Sequence, residues 1–317
     1  MTDCTIAWDQ TPLEEWFALF AKIRRSTLSQ YFPYAQAARQ IDQLGARRGL
    51  ISLDGVPCGL VQIGEVGLLG NAIHMLTVDR GPLWFDGVDQ HSASDAFFRE
   101  FARQFPRRFG RKKRVIPELD ERIGAQHMLT ASGLSRNEEV VGYETIWLNL
   151  EANEQVIRAG LAGKWRNSLS KAERSPLSVE VDWELASHAA FLRHYEADRK
   201  EKNYSGVSLA FLECLMGFQS ARNEALIVNA QLDGKTVAAI LVFLHGKAAT
   251  YQVGWTLPDG RQHSAHHLLL WEAIRQLKQR GIADFDLGGI NDESAAGVKK
   301  FKMGLGGEVV KLVGLYN

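Results

Sequence analysis

Apolar residues along this chain fall into two blocks that share one order: alternating strand-like runs, then a stretch with helical spacing, then another strand. Residues 47–63 read RRGLISLDGVPCGLVQI and residues 226–242 read LIVNAQLDGKTVAAILV. In both, Leu-Asp-Gly (53–55 and 232–234) separates two apolar runs of strand length. Asp-Gly between such runs predicts a hairpin with a tight turn. After the first hairpin come NAIHMLTV (71–78) and a turn at Arg80-Gly81-Pro82. The helix that follows carries Phe98, Phe101, Ala102 and Phe105 at i, i+3, i+4 and i+7, with Gly110 to close it. A strand, RVIPEL (114–119), ends the block. After the second hairpin come ATYQVGWT (249–256) and a turn at Pro258-Asp259-Gly260. Ser264 then N-caps a helix whose Leu270, Ala273, Ile274 and Leu277 repeat the spacing. Lys278, Arg280 and Gly281 suit its C-terminus, and ADFDL (283–287) is the closing strand.

This agreement predicts two tandem α/β (α+β) units, each with a mixed sheet, and a cleft between them. The expected division is a first domain at 1–155, a basic connecting helix at 156–176 and a second domain at 177–317. Lys164, Arg166, Lys171 and Arg174 make the connecting segment basic.

Composition narrows the class without naming it. The 317 residues carry 37 Lys+Arg against 37 Asp+Glu and are 45% hydrophobic, which excludes disordered and low-complexity chains and a surface coated in positive charge. Cys4, Cys58 and Cys214 are far apart, so neither a disulfide framework nor a structural zinc site is expected, and a reducing cytoplasm fits. The acidic opening MTDCTIAWDQTPLEEW has no apolar core of a signal peptide, and no apolar run approaches the roughly 20 residues of a membrane span.

Phosphate-binding GxxxxGK[ST], strand-GxGxxG-helix, HExxH and GxSxG are all missing. The neighbours His266 and His267 would point about 100° apart on a helix, a poor chelate, and read as structural or solvent-facing. No metal is expected. A two-substrate enzyme without such motifs holds an activated donor against its acceptor, which suits acyl transfer to an amine.

The last residues carry the densest pattern: DFDLGGINDESAAGVKKFKMGLGGEVVKLVGLYN (284–317). Gly288 and Gly289 would offer unshielded backbone N–H groups to a developing oxyanion, and a lysine nearby a point charge. Asp286, beside those glycines, reads as an acceptor that orders the loop. This block resembles the closing motif of the FemABX aminoacyltransferases, which share a tandem GNAT-like fold. The resemblance extends to KWRNSLSKAERSPLSVE (164–180), GYETIWLNL (142–150), RGPLWFD (80–86) and LLLWEAI (268–274). It implies transfer of an amino acid from aminoacyl-tRNA to an amine of a peptidoglycan precursor peptide, without metal, covalent intermediate or cofactor other than the donor. It places Lys302 at the reacting centre with Phe301 beside it. Arg199, Tyr204, Tyr251, Arg80 and Tyr34 become candidates to hold the acceptor, with Gly288, Gly289 and Asn291. Lys164, Arg166 and Arg261 become candidates to hold the donor. The coiled-coil arm of some members is absent from this sequence.

Two other readings stand beside this one. An acyl-CoA-dependent enzyme of the same fold would bind pyrophosphate with [QR]xxGx[GA]. The matching stretch here, Arg261 to His266, keeps the arginine but puts Ser264 and His266 where the glycine and small residue belong. A non-catalytic binding module would keep the cleft without turnover. For a tRNA donor, residues 99–114 supply eight basic side chains against Glu100 alone, with Arg99, Arg103 and Arg107 as a helical stripe. A lipid-linked acceptor would require only peripheral contact with a membrane.

Overall fold

The computed structural model describes residues 2–202, 206–291 and 296–317. It divides into two compact units: Met1–Glu144 together with Val310–Asn317, and Thr145–Val309.

The first unit runs β1 (Cys4–Trp8), α1 (Leu13–Phe20), α2 (Phe32–Asp42), β2 (Gly45–Leu53), β3 (Val56–Leu68), β4 (Ile73–Asp79), β5 (Leu83–Trp84), α3 (Gln90–Gln104), β6 (Arg111–Ile116) and α4 (Gln126–Ala131). Its sheet has the order β1-β2-β3-β4-β6, with β5 paired to β3. Asp54 and Gly55, both left-handed at φ 48° and 80°, make the predicted tight turn between β2 and β3. β4 and β6 are parallel, so a crossover is required, and α3 is the helix that supplies it. Its Phe97, Phe98 and Phe101 are buried against Ile51, Val61, Ile63, Leu76 and Val78 of the strands. The Asp89 side chain accepts from Ser92 N–H and caps its start. The helix ends at Phe105 and Pro106, which lacks the N–H to continue it. Gly110 lies beyond that end, in the approach to β6, where a Cβ would meet the Ala72 carbonyl.

The second unit runs β7 (Glu144–Asn149), α5 (Glu154–Gly160), α6 (Gly163–Glu173), β8 (Ser178–Asp182), α7 (His188–Lys202), α8 (Leu209–Ser220), β9 (Ala225–Leu232), β10 (Lys235–His245), β11 (Ala248–Thr256), α9 (Pro258–Gln262), α10 (Ala265–Gln279), β12 (Asp284–Asp286), α11 (Ala296–Met303) and β13 (Glu308–Lys311). The sheet order is β13-β7-β12-β11-β10-β9-β8. Asp233 and Gly234 repeat the left-handed turn at φ 50° and 76°. β11 and β12 repeat the parallel pair, with α10 as the crossover. Leu269, Leu270, Trp271, Ala273, Ile274 and Leu277 of α10 form the core with Leu226, Val228, Ile240 and Val242.

The chain is cut differently from the sequence expectation. The division falls at 144/145 instead of 155. The basic stretch at 156–176 is no connector: it lies within the second unit, and Trp165 and Leu169 of α6 are buried in that unit's core. The last residues return to the first unit, where Tyr316 exchanges backbone hydrogen bonds with Val115, and Val313 N–H donates to Leu119. Strand partners that far apart in sequence leave no local trace.

Candidate functional site

Parallel strands β11 and β12 stay in register from Ala248↔Asp284 to Thr250↔Asp286 and then part. Gly288 makes the divergence possible. Its φ of +72° is left-handed, and a Cβ there would sit 3.0 Å from the Tyr251 carbonyl. Buried Asp286 fixes the turn: its Oδ1 accepts from Gly288 N–H (2.8 Å) and from the Thr145 hydroxyl (2.5 Å). This is the loop-ordering role read from the sequence.

Lys302 enters that gap from α11. Only 6% exposed, it donates from Nζ to the Gly289 carbonyl at 2.9 Å and lies 5.5 Å from the centre of the Tyr251 ring. Burial pushes the ammonium down from 10.5 to about 8, while the charge of Asp286 resists the shift. At neutral pH the group therefore remains a cation, one held in a poorly hydrated place.

Beside Lys302 is a cavity of about 320 Å³. Its walls are Tyr251, Gly254, Trp255 and Thr256 of β11, Gly260 and Arg261 of α9, Ser264 to His267 at the start of α10, Gly297, Val298, Phe301 and Lys302 of α11, and Lys202 at the end of α7. Ser264 sits at the N-cap position but in a left-handed conformation (φ 57°), and its side chain caps nothing. The first turn of α10 is thus left without a side-chain cap at a place where helix geometry favours negative charge.

Glycine again sets the geometry one turn of strand away. A Cβ on Gly254 would lie 2.7 Å from the Tyr251 hydroxyl and 3.0 Å from His266 Nε2, so those two polar groups converge where the side chain is missing. His266 and His267 are both held down to about 4, first by burial. For His266 the nearby positive charges of Lys202 and Arg261 add to this, so at neutral pH both rings are uncharged. The His267 ring packs edge-on against Phe301 at 4.9 Å and tilted against Trp165 at 4.7 Å, which fixes the apolar wall.

Of the residues singled out in the sequence, Lys302, Phe301, Tyr251 and Arg261 line this cavity, and Gly288 and Gly289 abut Lys302. Asn291 is half-buried and follows this glycine turn, at the edge of the described residues. Tyr204 lies outside the described residues. Arg199 is on α7 but its guanidinium reaches the Val207 carbonyl (3.5 Å); Lys202, one turn later, is the α7 cation on the cavity wall. Lys164 and Arg166 are exposed on α6 and are not among the lining residues, and Arg166 bonds the Ala159 carbonyl. Arg80 and Tyr34 belong to the first unit. Arg80 forks onto Glu118 with two hydrogen bonds of 2.9 Å and stacks over Tyr143, so its guanidinium is a structural clamp there. Tyr34 is half-buried, its hydroxyl pushed up to about 12 by burial and the charges of Asp79 and Asp42. In the basic stripe, Arg99 pairs with Asp95 and Arg103 with Glu100. The sequence reads His266 and His267 as structural or solvent-facing from their divergence on a helix; the groups that meet His266, Tyr251 and Gly254, lie on another element, where the Tyr-x-x-Gly spacing is the available signal.

Residues 161–303 match the family model described as an acetyltransferase (GNAT) domain. No curated protein sequence matches the chain. Among solved structures, FemX superposes with a TM-score of 0.81 at 14% identity, covering 98% of this chain and 96% of that one. A tandem GNAT protein from the clavulanic acid biosynthesis pathway gives 0.53 at 13% identity over 100% and 98% of the two chains. An acetyltransferase of the GNAT family from Colwellia psychrerythraea gives 0.55 at 11% identity over 99% and 100%. The chain has the tandem GNAT-like fold of FemX.

Proposed function

We propose that the second unit is an N-acyltransferase, and that its donor is an aminoacyl ester of tRNA and its acceptor an amine of a peptide or cell-wall precursor. The observation that carries this reading is Lys302: a desolvated cation, oriented by Gly289, on the wall of a cavity at an uncapped helix N-terminus. In the reaction, the neutral amine attacks the ester carbonyl and an N–C bond forms. The carbonyl electrons move to oxygen, where Lys302 stabilises the charge; the Gly288 N–H is already held by Asp286 and serves the turn. The C–O bond to the terminal ribose then breaks, and the proton lost by the amine ends on the leaving ribose oxygen. Tyr251 and neutral His266 are the cavity groups placed to pass that proton. The step as written needs no cofactor beyond the donor.

A second reading, acyl-CoA as donor, is favoured by the match of residues 161–303 to an acetyltransferase domain. Against it, Ser264 and His266 bring side chains to the place where a pyrophosphate would need close backbone approach. The deciding experiment offers purified protein charged tRNAs or acyl-CoAs with amine-bearing muropeptides, and follows donor consumption and product mass with Lys302→Ala alongside. Deacylation of one tRNA class, sensitive to the variant, supports the first reading. Thiol release with inert tRNA replaces it with the second. Acceptor binding with no turnover from either donor leaves a binding module.

A further inference from the structure

One end of the first unit's sheet presents an apolar face that the fold does not use. Val66 pairs with Met75 and Leu68 with Ile73 across β3 and β4, so the four side chains share one face of that ribbon. All four are exposed, while His74 and Leu76 between them are buried on the opposite face. At the tip Leu69 is 82% exposed, and Phe109, in the loop before β6, is fully exposed. That loop is fastened to the tip: Arg108 donates to the carbonyls of Asn71 and Ala72, and Gly110 accepts from His74 N–H (2.8 Å). The apolar projection is therefore a built edge of the sheet.

Cations surround it. Lys112 pairs with Met75 in the parallel ladder and so lies on the same face as Val66 and Met75, with Arg114 two residues along. Arg107, Lys112 and Arg114 are exposed. Neither 66–75 nor 105–114 contains an Asp or Glu. Among the described residues no helix is long and apolar enough to cross a membrane, so any attachment through this edge would be peripheral.

We propose that this edge docks on an anionic lipid bilayer, with Leu68, Leu69 and Phe109 entering the interfacial zone and Arg107, Lys112 and Arg114 against the headgroups. Charge complementarity selects the lipid: exposed Arg107, Lys112 and Arg114 outnumber the one nearby carboxylate, Glu65, which His74 engages, so the rim repels cationic and gains little from neutral surfaces. Exposed aliphatic side chains at the end of a ribbon bury themselves in acyl chains without a matching concavity, which favours a bilayer over a protein groove. Single-stranded nucleic acid fits less well, because its bases stack on aromatic rings and this edge offers one among five aliphatic side chains. The inference is independent of the proposed function and concerns residues outside the cavity.

The test is sedimentation of the intact protein with phosphatidylcholine vesicles, with and without about one third phosphatidylglycerol. Binding is expected with the anionic vesicles alone and is weakened at high salt. Leu69→Ser with Phe109→Ser, and separately Arg107→Gln with Lys112→Gln, are each expected to lower affinity about tenfold or more. These side chains are exposed, so unchanged thermal unfolding shows that the variants fold. Absence of vesicle binding overturns the proposal. So does equal binding to neutral vesicles, or variants that abolish only tRNA retention or only a concentration-dependent dimer.

Discussion

The two units repeat one topology and diverge where a ligand would sit. In each, a central strand ends, the chain turns, and a crossover helix leads to a parallel neighbour. In the first unit the positions are closed by the protein itself: Asp89 caps α3, and Arg80 after β4 clamps Glu118 after β6. In the second they are open. α10 starts at Ser264 without a side-chain cap, and past the end of the β11–β12 pair lie Gly288, Gly289 and the buried ammonium of Lys302. A repeated scaffold thus closes these positions with its own side chains in one copy and lines a cavity with them in the other.

The sharpest way to break this comparison is to remove the charge from the open copy. Lys302→Ala should lower kcat/KM about 10²–10³-fold, the cost of losing one oxyanion-stabilising donor, measured in the transfer assay. With Lys302 near 8, turnover should fall as pH rises above about 8. Lys302→Arg, charged throughout, should lose that alkaline limb even where its turnover is reduced. If the limb persists in the arginine variant, another group titrates.

The reciprocal change in the closed copy should act on stability. Arg80→Met strands the Glu118 carboxylate in a site where both side chains are about one-eighth exposed, for about 2–3 kcal/mol in denaturant unfolding. Turnover per folded molecule should be unchanged. Lost turnover at unchanged stability would restore Arg80 as a ligand contact and undo the contrast.

Glycine positions give a finer test. Gly288 and Gly281 both have left-handed φ (72° and 74°), but only Gly288 has backbone within 4 Å of a new Cβ. Gly281→Ala should cost about 1 kcal/mol and Gly288→Ala about 2, with loss of turnover in the latter alone. Equal costs would mean that the approach to Tyr251 carries no constraint.

A further test is acid stability. His266 falls from 6.5 to about 4 on folding, so between those values the unfolded chain binds more protons and stability is lost as pH falls through the window. His266→Asn should flatten this dependence between pH 6.5 and about 4 in urea unfolding measured at several pH values. No flattening would mean the ring is solvated in solution.

Much of the fold was legible because its signals are local. Asp54-Gly55 and Asp233-Gly234 carry turn chemistry in two residues, and the apolar faces of α3 and α10 repeat within one or two turns. Lys302 is singled out by the resemblance of its block to the FemABX closing motif; no local signal separates it from Lys299 and Lys300. Ser264 is a capping residue by type yet its side chain caps nothing, whereas Asp89 does cap. A capping residue is recognised by type, but whether its side chain caps depends on a backbone conformation that the helix's surroundings impose. Lys202 in place of Arg199 is a matter of which turn of α7 reaches the cavity.

By itself the sequence determined the repeat, the hairpins and the crossover helices, because each depends on residues a few positions apart. Tertiary structure decided the rest. The unit boundary follows from pairing Val115 with Tyr316, and the cavity from bringing β11, α10 and α11 together. The desolvation of Lys302, the neutral state of His266 and the apolar edge at Phe109 are likewise properties of surroundings, supplied by residues remote along the chain.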